Sequence, residues 1–300
     1  MFVNFCSSGL VLLNRSHAFM DNIIIVGCVF SYFFVGDDHG GVISLKNSES
    51  IIFIEKSLFS CCHSAQNGGA VYTSCKESRI SLVCASNCSG NWGQFGYTLA
   101  IDINECHHLS ISLCRINPKG EYPICMFNGM QKCKYSNVTN NNVEVTSGVG
   151  FLSAYNSSLA YCTVTHNYAS LRVVIEFAGN ASVMEFTNVI SNSCPGLGIV
   201  FAQLYKSSFS ALSIANCIFY TNTGLLFHSY PKATMSVYDS YIIHEMNTMS
   251  GIVNINNNLF TYHPTIIINH YDCNIISETH NVHNSKTLFN HILFLQLLSS

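Results

Sequence analysis

Three clusters in this sequence hold residue types that can do chemistry. Gly36-Asp37-Asp38-His39-Gly40-Gly41 sets two carboxylates beside an imidazole. Such a set suits glycan cleavage, with one carboxylate as general acid and the other activating water. Asp and Gly ahead of a glycine-led strand are also ordinary turn residues, which is the competing reading of Asp37, Asp38 and His39. Cys61-Cys62-His63 and Cys106-His107-His108 pair thiols with imidazoles, as a soft-metal site or a Cys/His nucleophile would. Trp92, the sole tryptophan, lies in the turn Gly90-Asn91-Trp92-Gly93 and with Tyr97 could stack on a sugar or cover the end of a core. Cys84 and Cys88 are the best-spaced pair for a local disulfide in an oxidising compartment.

These clusters sit within a repeat. Gly40-Gly41-Val42-Ile43, Gly68-Gly69-Ala70-Val71 and Gly96-Tyr97-Thr98-Leu99 open successive units 28 residues apart, each glycine leading into alternating apolar residues. A second element, Ile24/Val26, Ile52/Ile54 and Ile80/Leu82, keeps the same period, with residues two apart sharing a strand face. Farther on, Phe127, Phe151, Val174, Val200, Leu226 and Val253 continue the apolar anchors, and three segments close on Asn167, Asn192 and Asn222. The stretch 115–146, with Pro118, Pro123 and the run Asn140-Asn141-Asn142, is expected to loop out.

A period of 23 to 28 residues without helical spacing does not suit ankyrin, tetratricopeptide or propeller units, and the leucine-rich ladder is absent. A parallel β-helix remains, in which inward residues stack as columns: Ile43 under Val71 under Leu99, and Ile24 under Ile52 under Ile80. Equivalent turn asparagines and serines are expected to form hydrogen-bonded ladders. The 45 residues between Cys61 and Cys106 are not a multiple of the period, and adjacent strand residues face opposite ways, so stacking does not unite the two Cys/His clusters. The fifteen cysteines show no paired CxxC spacing, and neither metal nor cofactor is expected.

Apolar residues make up 48% of the 300, with mean hydropathy +0.27, enough to fill a core. Charged residues are only 10%, the net charge is −3, and no basic run is present, which argues against nucleic-acid binding. Sequons at Asn14, Asn87, Asn137, Asn156 and Asn180 suggest a secreted or cell-surface protein, although no clear signal peptide is seen. No apolar run approaches the roughly 20 residues of a membrane-spanning helix. We expect one repeat domain over 1–285, followed at 286–300 by an apolar segment that is either a capping helix or the remnant of an anchor.

The residues also carry a resemblance. Asn67-Gly68-Gly69-Ala70-Val71, with Phe186-Thr187-Asn188 and Phe219-Tyr220-Thr221-Asn222, resembles the GGA(I/L/V) and FxxN repeats of the polymorphic outer membrane proteins of chlamydiae. The Cys-, Asn- and Ser-rich composition is similar to that of related β-helix surface proteins of protist parasites such as trichomonads. The resemblance implies an all-β, single-stranded right-handed parallel β-helix of about ten coils, a pectin lyase-like solenoid, and a non-enzymatic role in adhesion to host-cell or matrix proteins or glycans. The alternative is a polysaccharide lyase or glycoside hydrolase of the same fold. Polygalacturonases pair their aspartates with Gly-His-Gly and Arg-Ile-Lys; this sequence has neither, Arg115-Ile116-Asn117 being nearest.

Overall fold

The computed structural model describes residues 22–114, 120–203, 210–244 and 249–257, together with the backbone of 2–4 and 11–13. Segment 286–300 and Asn14 lie outside the described residues. Among the described residues the chain is β-strand and turn with no helix, wound into a parallel β-solenoid. Each coil contributes three main strands. Long strands such as Val71–Ser86 and Thr146–Ala160 turn the corner from the first face to the second without interruption, and short ones such as Asn137–Thr139 and Thr163–Thr165 form the third.

Inward residues form continuous columns. On the second face Ile25, Ile54, Ile80, Cys106, Cys133, Leu159, Met184, Ile214, Val237 and Ile255 are register partners in succession, one per coil. Ten members agree with the expected number of coils. Phe30, Phe59, Ala85, Ile111, Val138, Val164, Val189 and Phe219 form the equivalent column on the third face. All eight are buried, and Phe30 and Phe59 stack at 5.1 Å. Burying one such side chain is worth about 1.5–3 kcal/mol, so the columns supply most of the driving force.

The register differs from the 28-residue reading in three places. Val71 pairs with Gly96, not with Leu99, and Leu99 pairs outward-facing with Phe127. The equivalent of Gly40 and Gly68 is Gly93: these three have φ of +70°, +72° and +69°, and a Cβ on any of them would lie 2.0–2.3 Å from the carbonyl oxygen three residues ahead. A left-handed turn, not a glycine at constant spacing, is what recurs. On the second face Ile23 and Ile25 point inward while Ile24 is half-exposed and Val26 exposed, so Ile52 stacks on Ile23 and not on Ile24.

The third difference concerns 115–146. Residues 120–146 form a regular coil through Ile124–Phe127, Met130–Lys134, Asn137–Thr139 and Asn142–Val143. Pro123 precedes its strand, where the missing N–H costs little, and its carbonyl still accepts from Phe95 at 2.9 Å. The polar run is not a loop: Asn140 is a left-handed corner at φ +55°, Asn141 is buried, and Asn142 begins a strand.

The corners between second and third faces use one left-handed residue each, usually not glycine: Lys56, Leu82, His108, Tyr135, Tyr161, Phe186, Asn216 and Asp239, all with φ of 47–55°. This conformation costs roughly 1–2 kcal/mol per L-residue. The residue that follows offsets it. Ser57, Ser136, Thr187 and Ser240 donate a hydroxyl to the carbonyl two residues back at 2.8–3.0 Å, and Cys162 and Cys217 donate a thiol in the same way at 3.2 and 3.1 Å. The corner aromatics stack in turn, with His108–Tyr135, Tyr135–Tyr161 and Tyr161–Phe186 centroids 5.0, 5.1 and 4.9 Å apart.

Candidate functional site

At the corner after the third face, the next residue is Cys in three early coils and Asn in the later ones. Cys62, Cys88 and Cys114 are buried, each thiol donating to the carbonyl two residues back at 3.5–3.6 Å. Asn141, Asn167, Asn192 and Asn222 continue the line as a buried ladder: each asparagine's backbone N–H and Nδ2 donate to the Oδ1 of the next at 3.0–3.1 Å. The expected turn ladder is present. The FxxN-like equivalents are Phe219 with Asn222 and Val189 with Asn192, whereas Phe186 is an exposed corner residue in another column.

This arrangement accounts for the thiol clusters. Cys61 is a corner at φ +53°, Cys62 lies in the thiol column, and His63 stacks on Phe34 at 4.9 Å and hydrogen-bonds Ser89 Oγ through Nδ1. Cys106 belongs to the second-face core column, His107 faces outward, and His108 is a corner. The two clusters are not brought together, and among the described residues no group of His, Cys, Asp or Glu could hold a metal ion. The Cys84–Cys88 pairing is not formed: Cys88 is a free thiol between Cys62 and Cys114, and Cys84 is disulfide-bonded elsewhere. The left-handed turn at Asn87 directs Cys88 into the corner column, away from the strand that carries Cys84.

The acidic cluster lies at an exposed turn. Asp37 and Asp38 are exposed, Asp38 pairing with Lys46 at 3.6 Å. His39 stacks on Tyr72 at 4.4 Å and accepts the Asn67 N–H at 3.2 Å; burial, with Lys46, holds its imidazole below the usual value. Tyr72 stacks on Tyr97 at 5.5 Å, Tyr97 lies 6.3 Å from Phe127, and Trp92 tilts against both Tyr97 and Tyr122. Tyr97 therefore belongs to a buried outer apolar cluster with Tyr122, Cys125 and Leu152, and Trp92 lies at its exposed edge against Tyr97 and Tyr122.

Sequence reading missed a second polar centre beside that cluster. Glu176 faces outward from the first face yet is fully buried, held by Arg172 Nη2 at 2.7 Å, the Tyr122 hydroxyl at 2.7 Å and the Gln203 amide. Burial pushes its carboxyl up, while Arg172 and the hydrogen bonds oppose this. Glu121 is pushed up by burial as well; Arg172 opposes the shift and Glu176 adds to it. Tyr122 reaches Glu176 because Gly150 lies beneath its ring, where a Cβ would come 2.3 Å from ring carbons. The available signal was a lone carboxylate inside the apolar run Val173-Val174-Ile175-Glu176-Phe177.

The outer side of the second face is concave. One outward column runs Phe53, Arg79, Glu105, Lys132, Ser158, Val183, Ser213, Ser236. Its early part lines a cavity of about 350 Å³ with His107, and its later part a trough of about 710 Å³ with Asn156, Ala181 and Thr234. The Lys132–Glu105 ion pair at 2.9 Å divides the two. Asn156 and Asn180 are exposed, Asn87 is half-buried and Asn137 is buried.

Comparison with known proteins adds no assignment: no protein-family model, curated protein or solved structure matches this chain.

Proposed function

We propose that this chain is a non-enzymatic β-solenoid module of a secreted or cell-surface protein, which holds an extended ligand against its side. The observation that carries this reading is the 710 Å³ trough, which crosses five coils and has one cation and one carboxylate among its lining residues, Lys132 and Glu185. Lys132 is already paired with Glu105. The surface is poor in charge and rich in hydroxyls and amides, and the sequons at Asn156 and Asn180 are open to solvent. The GGA- and FxxN-like segments add the likeness to adhesive surface proteins of chlamydiae and trichomonads.

A catalytic reading has one observation in its favour, the carboxyls of Glu121 and Glu176, both pushed upward beside Arg172. Glu176 is closed off from solvent and its oxygens are taken by protein donors, which suits a structural role better than proton transfer to a substrate. Asp37 and Asp38 lie on an exposed turn, with Asp38 paired to Lys46 at 3.6 Å.

The test is a panel of polysaccharides and of host-cell and matrix surfaces, scored for both binding and cleavage. Binding without turnover supports the proposal. Turnover that disappears in Glu121→Gln, Asp37→Asn or Asp38→Asn replaces it with the enzyme reading, and no binding to any surface or polymer removes it.

A further inference from the structure

Resting on that reading, we propose that the trough on the second face is a binding site for an unbranched, uncharged polysaccharide laid along the solenoid axis. The trough spans the coils from Lys132 to Ser236, roughly 20 Å at the interstrand spacing of about 4.8 Å. Its length and direction call for a linear polymer instead of a compact small molecule.

The lining specifies the chemistry. Ser158, Val183, Ser213 and Ser236 succeed one another in one outward column, three hydroxyls and one apolar side chain, with the Ser213 hydroxyl donating to Tyr238 at 3.0 Å. The neighbouring column runs Asn156, Ala181, Ala211, Thr234, with polar groups at both ends and methyl groups between. A ligand matched to this surface alternates hydroxyls with C–H faces, as a hexose chain does. Exposed aromatics stand next in the chain to two lining residues, Tyr155 beside Asn156 at 70% exposed and Phe186 beside Glu185 at 45%, Phe186 stacking on Tyr161 at 4.9 Å. Exposed tyrosines bring an apolar body and a polar tip to a wet site.

Two observations separate this ligand from its competitors. An extended peptide binds a sheet by adding to an edge and taking its free backbone groups. Here the strand backbones of the trough are already paired on both sides by the parallel ladder, leaving side chains alone to make contacts. An acidic glycan needs unpaired cations, but Lys132, the lining's cation, is committed to Glu105 at 2.9 Å. A neutral chain meets neither obstacle.

The experiment uses the full chain, made in a host that does not attach N-glycans, since a glycan on Asn156 would itself occupy the trough. Binding of soluble unbranched glucan, mannan and xylan is measured beside a polyuronate, a sulfated dextran and extended peptides. Ser158→Tyr and Ser213→Tyr fill the trough from half-buried, outward-facing positions, and Lys76→Ala, on an exposed residue outside the lining, is the control. The expected result is binding of at least one neutral polymer, weakened about tenfold or more by either tyrosine, unchanged by the control, and shifted less than about twofold between 50 and 500 mM salt. Unchanged melting temperatures and circular dichroism show that the variants fold. Neutral-polymer binding that survives both tyrosines overturns the site while leaving the binding-module reading intact. A preference for the charged polymers or for peptides overturns the ligand class. Absence of binding to any polymer or cell surface removes both proposals.

Discussion

Asn192 Oδ1 accepts two hydrogen bonds from a single residue in the preceding coil, the backbone N–H and the side-chain Nδ2 of Asn167, each at 3.0 Å. Its own Nδ2 donates to the Val164 carbonyl at 2.8 Å. One buried amide thus satisfies a corner that has no regular ladder partner there, and passes the pattern to the next coil.

Asn192→Ala leaves the Asn167 backbone N–H without an acceptor and removes one of the two acceptors of its Nδ2, which keeps the Val138 carbonyl. Each buried orphan costs about 1–3 kcal/mol, so a total loss of about 2 kcal/mol or more is expected. Asn180→Ala, at an exposed position, is expected to stay within about 0.5 kcal/mol of the parent protein. Urea unfolding of both variants is the check; similar midpoints would show that the ladder does not carry the corner.

Gly93 and Gly96 separate the two possible registers. Gly93→Ala puts a Cβ 2.3 Å from the Gly96 oxygen at φ +69°, and is expected to lower the melting temperature sharply. Gly96 has nothing within 4 Å of its Cβ position, so Gly96→Ala is expected to be neutral or to stabilise the fold by up to about 1 kcal/mol. Thermal scans that reversed this order would restore the 28-residue register.

The pH dependence follows from Glu176. A carboxyl whose native pKa is raised holds its proton more tightly folded than unfolded, so the associated stability is complete below the unfolded value, near 4.5, and is lost as pH climbs through the raised native value. Arg172 opposes the shift, and Glu121, itself raised, contributes in the same direction as Glu176. Stability measured in steps from about pH 4.5 upward is expected to decline, and Glu176→Gln to flatten that decline. An equally steep profile in the variant would assign it to other groups.

Thiol reactivity is expected to follow burial. The hydrogen bond to Cys114 and burial push the Cys88 thiol up, and burial lifts Cys75 and Cys217 to about 12. Among the described free cysteines Cys61 alone is not fully buried. Alkylation of native protein near pH 8, followed by peptide mass spectrometry, is expected to label Cys61 first and the corner thiols only after denaturant. Early labelling of Cys88 would mean that the column opens readily.

Sequon use is expected to track exposure as well. Glycopeptide mapping of protein secreted from a glycosylating host should find glycan at Asn156 and Asn180 and none at Asn137, which is 8% exposed within a paired strand. Occupancy at Asn137 would require that coil to form after glycosylation.

What this sequence determined by itself is the solenoid. Glycine-led apolar runs at near-constant spacing, with closing asparagines, leave few ways to bury their apolar faces other than stacking coils, and Asn167, Asn192 and Asn222 meet as that reasoning requires. The alignment of coils was beyond it, because coils of unequal length keep the same corners: Gly93, not Gly96, takes the left-handed turn, and a shift of one residue exchanges Ile23 with Ile24 between core and solvent. The neighbours that give side chains their roles were also out of reach. Tyr122, Arg172 and Gln203 converge on Glu176 from three different coils, and the trough exists only where short side chains from five coils lie side by side. Periodicity reports which face a residue takes within its own strand, while sites are made between strands, where the offset from coil to coil decides which side chains touch.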